Sequence, residues 1–279
     1  MTHPIYTCLW FDGNAKAAAD FYCSVFQNSK ITSENPVVVN FELAGVKFMG
    51  LNGGPQFKPT PSISFFLTCD TDEEVVRYWD ILREGGNILI PLDKYPWSEK
   101  YGWCSDKYGF TWQIFKGKQS EVKQKIVPLL MFASNRYGKT EEAIKFYVSL
   151  FKNSEIQTLD LYGKDAPQPE GKVMHSRFVL NNKVFMAMDG IVDHKFDYNE
   201  AISFVVECDT QEEIDFYWNS FTKEGQESMC GWCKDKFGVS WQIAPAILKT
   251  LMADPAKSKN VMEAFLKMRK FDIAKLMSV

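Results

Sequence analysis

YGWCSDKYGFTWQIF at residues 101–115 returns at 230–244 as CGWCKDKFGVSWQIA, and this repetition decides the fold. Three further blocks recur in the same order. SISFFLTCDTDEEVVRYW (62–79) is matched by AISFVVECDTQEEIDFYW (201–218), FELAGVKFMGLNGG (41–54) by FVLNNKVFMAMDGI (178–191), and ADFYCSVFQNSKI (19–31) by IKFYVSLFKNSEI (144–156). Ordered self-similarity of this kind marks a tandem duplication. One copy precedes the polar stretch KGKQSEVKQK (116–125) and the other follows it, so the expected domains are 1–118 and 124–246. Residues 247–279 are left as a C-terminal helical extension.

Periodicity then supplies the elements. IYTCLWF reads as a strand and 14–26 as a helix with Ala18, Phe21, Tyr22, Val25 and Phe26 on its buried face. Asn14 stands where an N-cap is expected. Strands follow at 31–34, 37–43 and 46–51, the last two joined through Ala44-Gly45 as a two-residue hairpin. After the GGP break comes a strand at 62–69, a helix at 72–84 beginning after D-T-D, and strands at 87–92, 102–105 and 111–115. The order is strand, helix and three strands, written twice per copy. The fold class is therefore α+β, with four βαβββ units forming curled mixed sheets. The copies differ in their loops: 162–171 is long and polar in the second copy, which lacks the YPWSEK stretch (95–100) of the first. PAILKTLM and NVMEAFLKMRKFDIAKLM read as two further helices, which cover the domain or a subunit interface.

Composition excludes several classes of function. A net charge of −3 offers no basic field for nucleic acid, and no apolar run is long enough to span a bilayer. The N-terminal stretch MTHPIYTCLWFDGN lacks the cationic and long apolar regions of a secretory signal. Seven scattered cysteines suit reduced thiols, so a cytoplasmic protein is expected.

The Cys-x-x-Cys at Cys230–Cys233 arises from one difference, because Tyr101 holds the place of Cys230 in the first copy. No Cys or His pair lies nearby to complete a zinc shell, and the motif precedes a turn rather than opening a helix. Cys104 and Cys233 do share one place, but with only His3, His175 and His194 in the chain a Cys–His nucleophile has few bases. Asp106 and Asp235 precede Gly109 and Gly238 by three residues, the pattern of a turn in which Asp accepts a backbone N–H and Gly takes positive φ. Trp112 and Trp241 read as core rings.

The paired βαβββ repeat, the F-Y of the first helix, FMGLNGG and the closing GWCxDKxGxxWQI block resemble the PhnB-like branch of the vicinal oxygen chelate superfamily. That branch carries the label 3-demethylubiquinone-9 3-methyltransferase-like, and the superfamily includes glyoxalase I, bleomycin-resistance proteins and extradiol dioxygenases. The resemblance covers nearly all of both copies. It implies a curled sheet whose metalloenzymes take one ligand, typically His, Gln or Glu, from each of four strands. Carried over, those places hold Thr7 and Pro128 on the first strands and Ser64 and Ser203 on the strands opening the second halves. The strand after the hairpin offers Phe48 or Met49, and Phe185 or Met186, its register open by one residue. The last strands offer Gln113 and Gln242. Such a set lacks the imidazoles and carboxylates of a hard divalent site, so neither metal nor other cofactor is expected.

What the resemblance leaves is a cup in which Gln113, Thr7 and Ser64 supply polar groups among Leu9, Phe11 and Phe48 or Met49, with Met186, Ser203 and Gln242 as their second-copy counterparts. A mostly apolar lining with a few polar groups suits a small organic molecule. The first reading is thus metal-free binding of a small ligand. An enzyme using Cys104 or Cys233 with Asp106 or Asp235 is the second, and a self-associating homodimer built through the C-terminal helices the third. The methyltransferase label finds no glycine-rich turn of the nucleotide-binding type: Gly53-Gly54 and Gly85-Gly86 do not make that pattern.

Overall fold

The computed structural model describes residues 3–166, 168–190 and 194–279. Pro167 of the long polar loop and Ile191 at the end of a repeat block lie outside the described residues. The four βαβββ units are present. The first holds β1 (Tyr6–Phe11), α1 (Ala15–Val25), β2 (Lys30–Glu34), β3 (Val38–Leu43) and β4 (Val46–Asn52). The second holds β5 (Ile63–Cys69), α2 (Asp72–Leu82), β6 (Ile88–Tyr95), β7 (Ser98–Ser105) and β8 (Thr111–Lys116). After a short α3 (Gln119–Val122), the third holds β9 (Ile126–Phe132), α4 (Thr140–Leu150), β10 (Glu155–Leu161), β11 (Val173–Leu180) and β12 (Lys183–Asp189). The fourth holds β13 (Ile202–Cys208), α5 (Gln211–Thr222), β14 (Gln226–Glu227), β15 (Trp232–Lys234) and β16 (Ser240–Pro245).

The strands form two eight-stranded curled mixed sheets, ordered β14-β15-β16-β13-β1-β4-β3-β2 and β10-β11-β12-β9-β5-β8-β7-β6. The β5–β12 sheet thereby joins the second half of the first copy to the first half of the second. Two compact units are distinguished, residues 8–202 and residues 1–7 with 203–279, and the β5–β12 sheet lies wholly within the first. At its centre β5 and β9 run antiparallel, with Ser64 opposite Leu129 and Phe66 opposite Val127. Parallel β8 and β12 flank them.

In the 8–202 unit aromatic rings from β3, β4, β5 and β8 pack on the helix side of their strands. Trp112 packs against Tyr22, Phe26 and Phe65 at centroid distances of 5.7, 5.4 and 5.1 Å. Phe48 stacks on Phe41 at 5.6 Å. Ala44 and Gly45 both take positive φ, 48° and 78°, as a two-residue hairpin turn requires. Thr71 caps α2 by accepting from the Glu74 N–H at 3.2 Å, and the Glu74 carboxylate accepts from the Asp70 N–H, one residue before the cap, at 2.9 Å. The expected Asn14 cap is not made. Asn52, at the end of β4, accepts from the Ala15 N–H at 2.9 Å instead. A tertiary neighbour thus satisfies a donor that the local sequence leaves free.

In the other unit the fourth βαβββ hairpin is short: β14 and β15 have two and three residues where β6 and β7 have eight each. The C-terminal tail takes up the released backbone groups. Cys230 N–H donates to the Met268 carbonyl at 2.7 Å and Gly231 N–H to that of Arg269 at 2.8 Å. The continuous helix expected over 260–277 is accordingly broken into α7 (Ser258–Phe265) and α8 (Ile273–Met277), after α6 (Leu248–Ala253). Phe271 is 1% exposed beside Gly231. Phe271→Ala is expected to cost about 3 kcal/mol in urea unfolding, against less than about 0.5 for the exposed Met277→Ala.

Candidate functional site

The inner face of the β5–β12 sheet, opposite the helix-covered one, gathers the candidate residues. Strand alternation puts Ser64, Phe66, Gln113, Phe115, Tyr101 and Trp103 on this face, since Tyr101 pairs with Phe115 and Trp103 with Gln113. From the second copy come Val127, Leu129, Met131, Val184 and Met186, and all five belong to one buried apolar cluster with Phe66, Tyr101 and Trp103. A hydrogen-bond chain crosses it: Tyr101 Oη donates to Gln113 Oε1 at 2.8 Å, and Gln113 Nε2 donates to Ser64 Oγ at 2.9 Å. Burial pushes the Tyr101 phenol well above its ordinary value, so it stays a neutral donor. Further polar atoms of this face are buried without a partner, among them Trp103 Nε1, His175 Nε2, Arg177 Nε and Thr68 Oγ1. The His175 ring lies 6.0 Å from that of Phe66, and burial holds it neutral against the opposing pull of Asp160. Tyr95, Trp97 and Tyr101 form an aromatic cluster at the tip of the β6–β7 hairpin, with Tyr95 and Trp97 stacked at 5.0 Å. This tip is the YPWSEK stretch that the second copy lacks.

Of the residues expected in one cup, the structure brings together Ser64, Gln113 and Met186 and disperses the rest. Thr7, Leu9 and Phe11 lie on β1 in the other sheet. Phe11 packs on Phe110 at 5.3 Å and beside Gly50 and Ala15, so its face of the strand is the helix side. The register left open resolves the same way in both copies. Phe48 and Phe185 turn to the helix side, stacked on Phe41 and Phe178 at 5.6 and 5.8 Å, and Met49 and Met186 turn to the other. Pro128 is likewise off the inner face, and Leu129 takes its place. Ser203 and Gln242 repeat the Ser64–Gln113 bond at 3.0 Å in the other unit. Cys230 stands there where Tyr101 would complete the chain.

The four central strands β5, β8, β9 and β12 therefore present Ser64, Gln113, Leu129 and Met186. A hydroxyl, a neutral amide, an isobutyl group and a thioether do not fit a hard divalent cation. Among the described residues no group of three or more His, Cys, Asp or Glu side chains converges.

The proposed nucleophiles and acids lie elsewhere. Cys104 pairs with Trp112 and Cys233 with Trp241, so both thiols share the helix side with the tryptophans. Burial pushes Cys104 up to about 12 and Cys233 higher still. Asp106 accepts from the Tyr108 and Phe110 N–H groups at 2.8 and 3.1 Å, from Tyr22 Oη at 2.7 Å and from Trp112 Nε1 at 2.8 Å. Burial raises its carboxyl while Trp112, Tyr22 and the two amides pull it back. Asp235 accepts in the same way from Phe237, Val239 and Trp241. These are turn-locking carboxylates, as the D-K-[FY]-G spacing suggests. With its thiolate scarce at pH 8, Cys104 is expected to react with iodoacetamide about a thousandfold more slowly in the folded chain than in urea, read by peptide mass spectrometry.

Sequence reading missed Trp103, Tyr101, Leu129 and His175. Two signals point to them: the cross-strand register of the hairpin, which pairs Trp103 with Gln113, and the pairing of Leu129 with Ser64.

Paired βαβββ units closing curled mixed sheets around an inner face define the glyoxalase-like class of tandem folds. The sequence profile described as 3-demethylubiquinone-9 3-methyltransferase matches residues 3–115 and 124–244. The chain belongs to that family, the PhnB-like branch of the vicinal oxygen chelate superfamily. Among solved structures it is similar to a putative 3-demethylubiquinone-9 3-methyltransferase, PhnB protein, from Bacillus cereus: 36% identity, 41% of this chain, 100% of that one, TM-score 0.39. It is also similar to a mutant glyoxalase I from Zea mays, with 11% identity, 86% of this chain, 92% of that one and a TM-score of 0.53. The latter supports the fold across most of the chain. No curated protein matches the sequence.

Proposed function

We propose that the chain binds a small, largely apolar organic molecule on the inner face of the β5–β12 sheet, without a metal. One observation carries this reading: Trp103 Nε1 and His175 Nε2 are buried with no hydrogen-bond partner, the first within the apolar cluster and the second beside Phe66. Leaving such a group unsatisfied costs about 1–3 kcal/mol, which a ligand's acceptor or donor recovers on binding. Met131, Met186 and the half-buried Met188 supply unbranched side chains that repack around different shapes.

The prediction separates binding from folding. Trp103→Phe removes an orphaned donor but also one of the two fused rings, so the relief of the first offsets the cavity left by the second and the free protein is expected to melt within a few degrees of the original. Its affinity for a ligand found by thermal-shift screening should fall about tenfold, the worth of one good hydrogen bond. Unchanged affinity for every ligand found, measured by calorimetry, would sink the reading.

The family label favours methyl transfer as a second reading, but the geometry gives it less support. Both sheets are mixed, with an antiparallel pair joining β3 to β4 and β11 to β12. A nucleotide-type cofactor is ordinarily held by a glycine-rich turn at the end of a strand in a doubly wound parallel sheet.

A further inference from the structure

Beside the apolar cluster, within the 8–202 unit, lies a cavity of about 480 Å³. It is bounded by the linker at 119–125, the β3–β4 turn at Ala44–Val46 and the adjoining parts of β11 and β12. Val122 and Val184 line the cavity and also belong to the cluster of the inner face, and Val179 packs against that cluster. The cavity's apolar wall, Val122, Val179 and Val184, is thus the outer edge of that cluster, while Leu129 and Met186 behind it are buried at 0% and 3% exposure.

Its charged lining is nearly all cationic: Lys123, Lys125, Lys183 and Arg177, with Glu121 the one acid. Lys125 is already satisfied, by Glu74 at 2.6 Å and the Thr68 carbonyl at 2.7 Å. Glu121 faces Lys118 at 3.8 Å. Among the described residues Lys123, Lys183 and Arg177 form no ion pair, and Arg177 Nε is buried without a hydrogen-bond partner. A half-buried guanidinium with an orphaned N–H is costly unless an anion meets it. Burial lowers the Lys183 ammonium while Glu42 opposes the shift, so this second cation is also partly stripped of water. Arg177 sits on β11 directly across from Met186, which pairs in turn with Leu129, and Leu129 with Ser64. Arg177 thus shares the row of paired residues that runs across the inner face to Ser64.

We infer that this cavity is the entrance of the binding site and takes the oxyanion end of an amphipathic ligand, a carboxylate or phosphate monoester with an apolar body. Its oxygens lie between Arg177, Lys183 and Lys123, and its body over Val122, Val179 and Val184. The Arg177 fork suits the paired oxygens of either head group. The inference rests on the small-molecule reading above and adds the ligand's charge and direction.

Calorimetry on the full chain with four naphthalenes tests it: 2-naphthoate, 2-naphthyl phosphate, 2-naphthylmethanol and 2-naphthylmethylammonium. At least one anion is expected to bind ten times more tightly than the alcohol, and the ammonium most weakly. Arg177→Gln and Lys183→Gln should each weaken the anion about fivefold to tenfold and the alcohol less than twofold. Neither change breaks a hydrogen bond or close ion pair, and Lys183→Gln gives up only the longer-range pull of Glu42, so melting temperatures should hold within a degree or two; Lys123→Gln gives a third, exposed position. Equal binding of anion, alcohol and ammonium, unaffected by Arg177→Gln, would overturn the entrance assignment while leaving the inner-face reading intact. Failure of all four to bind at millimolar concentration overturns both.

Discussion

Asp106→Ala is expected to lower stability by about 4 kcal/mol, because the change strands four buried or half-buried donors at once. Tyr22 Oη, Trp112 Nε1 and the N–H groups of Tyr108 and Phe110 all converge on this one carboxylate. They tie together α1, the β7–β8 turn and the central ring of the helix-side core. Asp106→Asn keeps one carbonyl oxygen for the two amides but turns an NH₂ toward donors, so a loss of about half that size is expected. Urea unfolding followed by tryptophan fluorescence reads both. A cost under about 1 kcal/mol for Asp106→Ala would mean that the carboxylate is no structural keystone, and would reopen its candidacy as an acid. The change should also loosen Trp103 and Gln113, since both stand on the hairpin that the turn closes. Hydrogen exchange of the β7–β8 amides reports that coupling.

Gly86→Ala is the second large effect, again expected near 4 kcal/mol. Gly86 connects α2 to β6, and a Cβ there would lie 1.8 Å from the Ser105 carbonyl oxygen and 2.6 Å from its carbon. These are backbone atoms held in place: Ser105 N–H donates to the Asn87 carbonyl at 2.8 Å, and Asn87 N–H to Ser105 Oγ at 2.9 Å. Relief requires pulling the connection off β7. The equivalent glycine of the second copy is under the same constraint, as a Cβ on Gly225 would meet the Lys234 carbonyl at 2.0 Å. Gly163→Ala, with nothing within 4 Å and no positive φ, serves as the neutral control. Similar midpoints for Gly86→Ala and Gly163→Ala would contradict the close approach.

The effects differ in how far the sequence foretells them. The D-K-[FY]-G spacing announces the Asp106 turn because the interaction is local: carboxylate, amides and glycine lie within five residues. Gly86 carries no such announcement, since its partner lies nineteen residues away on another strand. The cup shows the same divide. Gln113 and Ser64 were legible as a polar pair from the repeat itself, and their bond is found twice. Leu129 was not legible, because a shift of one residue sends a side chain to the other face of a sheet, and the alignment of Pro128 with Thr7 follows the helix face. Nor were the orphaned ring nitrogens of Trp103 and His175, since being unpartnered is a property of surroundings rather than of a motif.

Repetition and period-two patterning alone determined the α+β class, the four βαβββ units and most element boundaries, because hydrophobic alternation and turn chemistry act over a few residues. Only the tertiary structure decided which units share a sheet. All four carry nearly the same edges and the same apolar faces, so pairing within a copy and pairing between copies look alike in sequence. The choice made, β5–β8 with β9–β12, places the unequal halves of two copies around one inner face. It brings the Arg177 end of one copy to the Gln113 end of the other, a long-range arrangement that no local preference encodes.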